Sequence, residues 1–141
     1  MTYAQKKDAF TLIEIMVVVF IIGLLAAMMG PRIMKVMTGG QTSAAQSGCI
    51  ALKNAIIEYK MDTGQFPKTL EDLVKNTGGV SKWNGPYLEG KTSIDPDPWG
   101  NDYIYNKPPK VFDKYKSFEI ISYGGDQGEG EPQDKWLSAG S

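Results

Sequence analysis

Five acids stand between Ser117 and Asp134 with no Lys or Arg among them: Glu119, Asp126, Glu129, Glu131 and Asp134. Four of them fall in a glycine-rich run, Tyr123-Gly124-Gly125-Asp126-Gln127-Gly128-Glu129-Gly130-Glu131-Pro132-Gln133-Asp134-Lys135-Trp136. Calcium takes about six to eight oxygens from carboxylates and carbonyls, and glycines let a loop curl its carbonyls inward. The same composition also describes a solvated acidic loop, and the ligand order of an EF-hand is missing. A further acid, Glu14, lies in an apolar segment, where an ionised carboxylate costs about 3 kcal/mol and is a functional candidate by default. Its alternative is a place at the interface, merely ending the segment. Other chemistries are excluded. The 141 residues contain no His, which removes the commonest general base, Ser-His-Asp and Cys-His arrangements and the usual zinc sites. Cys49 is the single Cys, so no intramolecular disulfide forms. Fifteen basic against 16 acidic residues give a net charge of −1, too little positive charge for a bulk grip on nucleic acid. The carboxylates form no convincing catalytic pair, and the chain reads as non-enzymatic.

The elements that position these residues begin with the apolar segment. Ile15 to Pro31 carries no charge. As a helix it is about 25 Å long, the short end for a bilayer span, and Phe10 to Ile13 extend it to the usual length if Glu14 is tolerated. Lys6 and Lys7 precede it, which puts the short N-terminus in the cytoplasm and the body outside. A chain of this length can hardly bury such a helix, and Ala26-Ala27-Met28 makes a poor signal-peptide cleavage site. A retained membrane helix fits best. A leader removed just before Phe10 would place a new α-amino group one turn from Glu14. Between neighbouring chains, that pair could set the register of stacked helices.

Pro31, helped by Gly30, Gly39 and Gly40, is expected to interrupt the helix. It resumes from Gln41 to Met61, where Ala45, Cys49, Leu52, Ile56 and Tyr59 form one amphipathic stripe facing a sheet. Cys49 is then a small buried apolar residue and not a nucleophile. Ile50, Ile57 and Met61 fall on another face, covered either by the fold or by a neighbouring subunit. Asp62-Thr63-Gly64 closes the helix, Phe66-Pro67 turns the chain, and Thr69 with Asp72 caps a short helix from Leu70 to Lys75. Gly78 to Gly100 reads as loop, with Pro98 and Gly100 turning tightly around Trp99. Tyr103 to Asn106 and Ser117 to Tyr123 have strand composition, Phe118 and Ile120 alternating with Ser117 and Glu119 as in a half-buried strand. The fold class is α+β: a long N-terminal α-helix, half transmembrane and half amphipathic, on a small antiparallel sheet of two or three strands, with a loop-rich C-terminal region.

Lys6-Lys7-Asp8-Ala9 followed by Phe10-Thr11-Leu12-Ile13-Glu14-Ile15-Met16-Val17-Val18 resembles the N-terminus of type IV pilins and type II secretion pseudopilins. The resemblance implies that a prepilin peptidase cuts between Ala9 and Phe10 and methylates the new amino group, with Ala9 standing where the family normally has Gly. It divides the chain into a leader, 1–9, a transmembrane and filament-core helix, 10–31, and a periplasmic globular domain, 32–141. Pro31 occupies the family's usual proline position, a bend or a segment that melts on packing. Asp97 to Tyr105, Ala51 to Ala55 with Tyr59-Lys60, and Gly64 to Pro67 are similar to the major pseudopilins in particular. Type IV pilins usually carry a C-terminal disulfide loop, impossible with one Cys. By this resemblance Asp126 and Asp134, with the carbonyl of Tyr123, hold calcium, and Trp136 closes the loop. The implied role is the major structural subunit of a pseudopilus, polymerising through its N-terminal helix into a piston-like filament that drives protein export across the outer membrane. A type IV or competence-type pilin is the alternative, and an anchored binding protein, indifferent to Glu14, is a more distant one. The implied partners are further copies of the chain, minor pseudopilins, the inner-membrane platform protein and the prepilin peptidase, with no nucleic acid. The implied location is the inner membrane, single-pass, with the C-terminal domain periplasmic.

Overall fold

The computed structural model describes residues 10–125 and 136–141 and divides into two compact units, meeting in sequence between Thr38 and Gly39. Helix α1, Leu12–Thr63, contributes to both. It starts where Thr11 offers its Oγ1 and its carbonyl to the backbone N–H of Glu14, at 3.3 and 3.1 Å, the geometry of an N-cap. From Leu12 to Met29 the mean hydropathy is 2.8 and none of the segment is buried.

The expected interruption at Pro31 is not there. The backbone is helical without a gap from Leu12 to Thr63, through residues 31 to 40. A proline removes one donor and crowds the preceding turn, a cost of about 3 kcal/mol. That cost falls on one position, and the flanking Ala26, Ala27, Met28, Met29 and Met34 are all strong helix formers. Termination comes at Thr63. Its hydroxyl bonds the Tyr59 carbonyl at 2.7 Å, and Gly64, at φ +78°, donates its N–H to the Lys60 carbonyl at 2.8 Å. Only a residue without Cβ enters that left-handed corner cheaply.

In the second unit three antiparallel strands lie in the order β1 (Ile104–Asn106), β2 (Glu119–Ser122), β3 (Leu137–Gly140), with Tyr105 opposite Ile120 and Ile120 opposite Ala139. The expected stripe of α1 is buried: Ala45, Cys49, Leu52, Ile56 and Tyr59, joined by Ala55. From Cys49 to Tyr59 the stripe forms one core with Phe118, Ile120 and Ala139 from the sheet side and Leu70, Leu73 and Tyr87 from the intervening chain. Burying each large side chain there contributes about 1.5–3 kcal/mol. Phe118 is the hub, its ring 5.3 Å from Phe66 and 6.0 Å from Tyr105.

Two local expectations differ, and the third strand falls where none was singled out. The short helix is a single 3₁₀ turn, Leu70–Leu73, and stops before Lys75. Asp72 is buried, accepts the backbone N–H groups of Lys68 and Thr69 at 2.9 and 3.1 Å and bonds the Thr77 hydroxyl, so the chain folds back around it. Strand β3 has no strand-like composition in Leu-Ser-Ala-Gly. Its place is set by pairing with β2 and by Gly140, where a Cβ would stand 2.4 Å from the Phe118 carbonyl. Finally, β2 is buried at every position and not alternately. Glu119 has no exposed surface, because its carboxylate accepts the Asn106 side-chain amide and the backbone N–H groups of Lys110, Val111 and Phe112, all at 2.8–2.9 Å.

Burial pushes the Glu119 carboxyl up, and those four donors more than offset it, leaving it below the usual carboxylate range. Asp72 follows the same balance, with the Thr77 hydroxyl and two backbone donors on its side. Both depressed values make the anions stabilising at neutral pH, a contribution lost as pH falls below the ordinary 4.5 and 3.8 through the still lower folded values. Glu119→Gln should therefore lower stability by about 2–4 kcal/mol at pH 7, and its melting temperature should fall less than the wild type's on acidification from pH 5 to pH 3, checked by circular dichroism.

Candidate assembly and ligand-binding sites

Phe10, just before α1, and Glu14, in its first turn, lie four residues apart and both are exposed. Glu14 sits in the first turn, where the helix N-terminus favours a negative charge. Thr11 completes this site as the cap, a role that the Thr-x-x-Glu spacing signals once the helix start is known. Ala9 and the rest of the proposed leader lie outside the described residues. Pro31 is within helical backbone.

At the other end of the chain, Asp126 and Asp134 also lie outside the described residues, as do Glu129 and Glu131. Tyr123 and Trp136 bracket that segment, their ring centroids 4.6 Å apart at 59°. The Trp136 indole N–H is buried without an acceptor among the described residues. Those residues contain no cluster of three or more His, Cys, Asp or Glu side chains able to hold a metal. Glu119, counted with the acids of this region in the sequence, belongs elsewhere: its four donors hold it in the clamp described above.

The base of the acidic loop is built around a residue that sequence reasoning passed over. Asp97 is buried, and its Oδ1 accepts the backbone N–H groups of Trp99 at 3.1 Å and Asn101 at 2.8 Å. Its Oδ2 accepts the Ser122 hydroxyl at 2.6 Å. Ser122 Oγ in turn accepts the Gly124 N–H at 3.3 Å, and the Asn101 side chain donates to the Gly124 carbonyl at 3.4 Å. Gly100, at φ +90°, closes the turn. Trp99 covers Gly125 so tightly that a Cβ there would stand 2.7 Å from its indole nitrogen. The expected turn around Trp99 is present, and through Asp97 it is tied to the end of β2, from which the acidic loop departs. Asp followed by Pro-Trp-Gly is the available signal: an Asp side chain capping the backbone two residues on.

Cys49 has no exposed surface, and burial pushes its thiol up to about 11, so it is no nucleophile.

A membrane-length apolar helix, headed by Phe10 and Glu14 and running into a small helix-on-sheet body, is the organisation of a pilin-like subunit. The comparisons with known proteins make that class specific. Residues 32–137 match the family model described as type II secretion system (T2SS), protein G, and residues 5–30 match the prokaryotic N-terminal methylation motif. The type II secretion system core protein G of Pseudomonas aeruginosa is 37% identical over 132 residues, covering 89% of this chain and 89% of that protein. The core protein G of Escherichia coli K12 is 35% identical over 138 residues, 95% of this chain and 92% of that one. The fold resembles the crystal structure of the major pseudopilin from the type 2 secretion system of enterohaemorrhagic Escherichia coli, at a TM-score of 0.55 and 21% identity over 74% of this chain and 90% of that chain. The chain belongs to the type II secretion system protein G family, the major pseudopilins, and not to the type IV pilins.

Removing the Asp97 carboxylate leaves three donors unpaired in a buried site. Asp97→Ala should cost about 2–4 kcal/mol, and the tryptophan emission should shift to the red as Trp99 loosens, measured by thermal melting and fluorescence of the folded protein.

Proposed function

We propose that this chain is the major structural subunit of a type II secretion pseudopilus, with no catalytic role. A prepilin peptidase cleaves between Ala9 and Phe10 and methylates the amino group. The mature chain crosses the inner membrane once, with its body in the periplasm, and polymerises through α1 into a filament that pushes exported proteins through the outer membrane. The inner-membrane platform protein and minor pseudopilins work with it. The observation that carries this reading is the bare apolar stretch Leu12–Met29, with a single acid in its first turn. A lone anchor needs no acid there. A filament core does, because Glu14 of one copy neutralises the Phe10 amino group of the next, and a misplaced subunit leaves a charge unpaired in apolar surroundings. The match of residues 5–30 to the methylation motif supports the processing step.

Glu14→Leu should still insert in the membrane but form no filaments in cells overproducing it, seen by electron microscopy, and wild-type filament numbers would overturn the pairing. Mass spectrometry of the mature chain should find methylated Phe10 at its start, and a chain still beginning at Met1 would count against the whole reading.

We further propose that Asp126 and Asp134, with the Tyr123 carbonyl, hold a calcium ion, which would supply positive charge to a loop with little apolar surface of its own. Support comes from the loop's two ends. The Tyr123 and Trp136 rings meet, and Gly124, at φ +79°, turns the backbone where the acidic segment begins. The buried Trp136 N–H has no acceptor among the described residues, and a carbonyl of a cation-binding loop would supply one. Calcium should raise the melting temperature of the full chain in detergent relative to chelator, and Asp126→Ala should abolish the difference.

A further inference from the structure

The body carries two surfaces on α1, neither with a net charge, that its own fold leaves open. The first is a cleft of about 320 Å³ between the helix and the segment from Leu88 to Pro98. Its floor is Ala44, Gly48 and Ala51, and Leu88, Ile94 and Pro96 wall it. The floor is held small: a Cβ on Gly48 would stand 2.1 Å from the Tyr103 hydroxyl oxygen. The two charges at the cleft, Lys91 and Asp95, are bonded to each other. The second surface is a ridge, Ser47, Ile50, Asn54, Ile57 and Met61, recurring at spacings of 3, 4, 3 and 4. All five are exposed, Met61 to 79% and Ile50 to 46%. On a helical projection the ridge lies roughly 160° from the buried stripe and roughly 110° from the cleft floor.

We propose that the ridge of one copy seats in the cleft of the next, an inference that rests on the filament reading above. A ridge roughly 110° around the same helix cannot fill its own cleft, whereas a second copy can. The two sets of residues are matched in spacing and opposed in size. Ile50, Asn54 and Ile57 are separated by 4 and 3 residues, as are Ala44, Gly48 and Ala51. Parallel helices shifted by six residues, about 9 Å, set Ile50 and Ile57 against Ala44 and Ala51, with Asn54 opposite Gly48, over which the Tyr103 hydroxyl stands. The contact is heterologous, since each copy gives a ridge and receives one in a different place. Such a contact repeats without closing and builds an open helical array, while ridge against ridge would stop at a pair.

The test is cysteine cross-linking of the full chain, expressed in membranes with its secretion machinery. Ala51→Cys and Ile57→Cys, placed together in one chain, stand about 10 Å apart on the helix, beyond the roughly 7 Å that a disulfide spans. Cys49 is buried and takes no part. Oxidation of the double variant should give a covalent ladder of dimers, trimers and higher species, and neither single variant should. Filaments that form without a ladder overturn the contact and leave the filament reading standing. A dimer from Ile57→Cys alone shows ridge against ridge and also overturns it. Ala44→Trp, filling the cleft from an exposed position, should cut filament number about tenfold with an unchanged melting curve, and undiminished filaments would overturn the proposal. Wild-type chain that forms no filaments at all removes the filament reading, and this contact with it.

Discussion

Burial of one stripe of α1, from Cys49 to Tyr59, against Phe118, Ile120 and Ala139 is the interaction on which the body depends. The sheet is too small to be stable alone, with three strands of 3 to 4 residues each. The helix gives it an apolar face to lie on. The connecting segments are held by carboxylates. Glu119 gathers the backbone of 110–112 over β2, Asp97 ties the Trp99 turn to Ser122, and Asp72 closes the turn that follows α1. Each acid is buried, or nearly so, and each receives backbone or hydroxyl donors in place of a counter-charge. A body rich in loops thus acquires a few fixed points, each able to order several residues of backbone at once.

How far the sequence led can be judged residue by residue. The buried stripe of α1 was legible because a period near 3.6 in apolar residues has one simple cause, a covered helix face. Glu14 stood out because an acid among aliphatic residues is costly, which makes it a functional candidate by default. Glu119 was not, since an acid between two apolar residues reads as the wet side of a strand. Its burial is decided by donors contributed from 7 to 13 residues away, which no local pattern reveals. Asp97 looked like an ordinary turn residue for the same reason. At Pro31 the local penalty was visible, but the capacity of a 52-residue helix to absorb it was not. Strand β3 was hidden because pairing with β2, rather than composition, makes Leu137 to Gly140 a strand.

The same division explains why family membership was easier to see than the details of the sites. The N-terminal segment works by composition and order along one helix, and both are properties of sequence. The acidic loop is bounded by contacts between residues far apart in the chain. Its ends, Tyr123 and Trp136, meet across the intervening residues, and the turn that supports it comes from Asp97, more than twenty residues earlier in the chain. Between these regions α1 faces two environments in succession, wholly bare of protein over Leu12–Met29 and one-sided from Ala45 onward.

The lone cysteine has a practical corollary. Three clusters of ordinary oxygen acceptors do the cross-linking that small exported domains commonly obtain from disulfides, and the one thiol is sealed inside the core. Acquisition of the native state therefore draws nothing from oxidative machinery and cannot be misdirected by wrong bridging within the chain. The body should reach the same structure in reducing and oxidising surroundings, so the redox state of the compartment drops out of its folding.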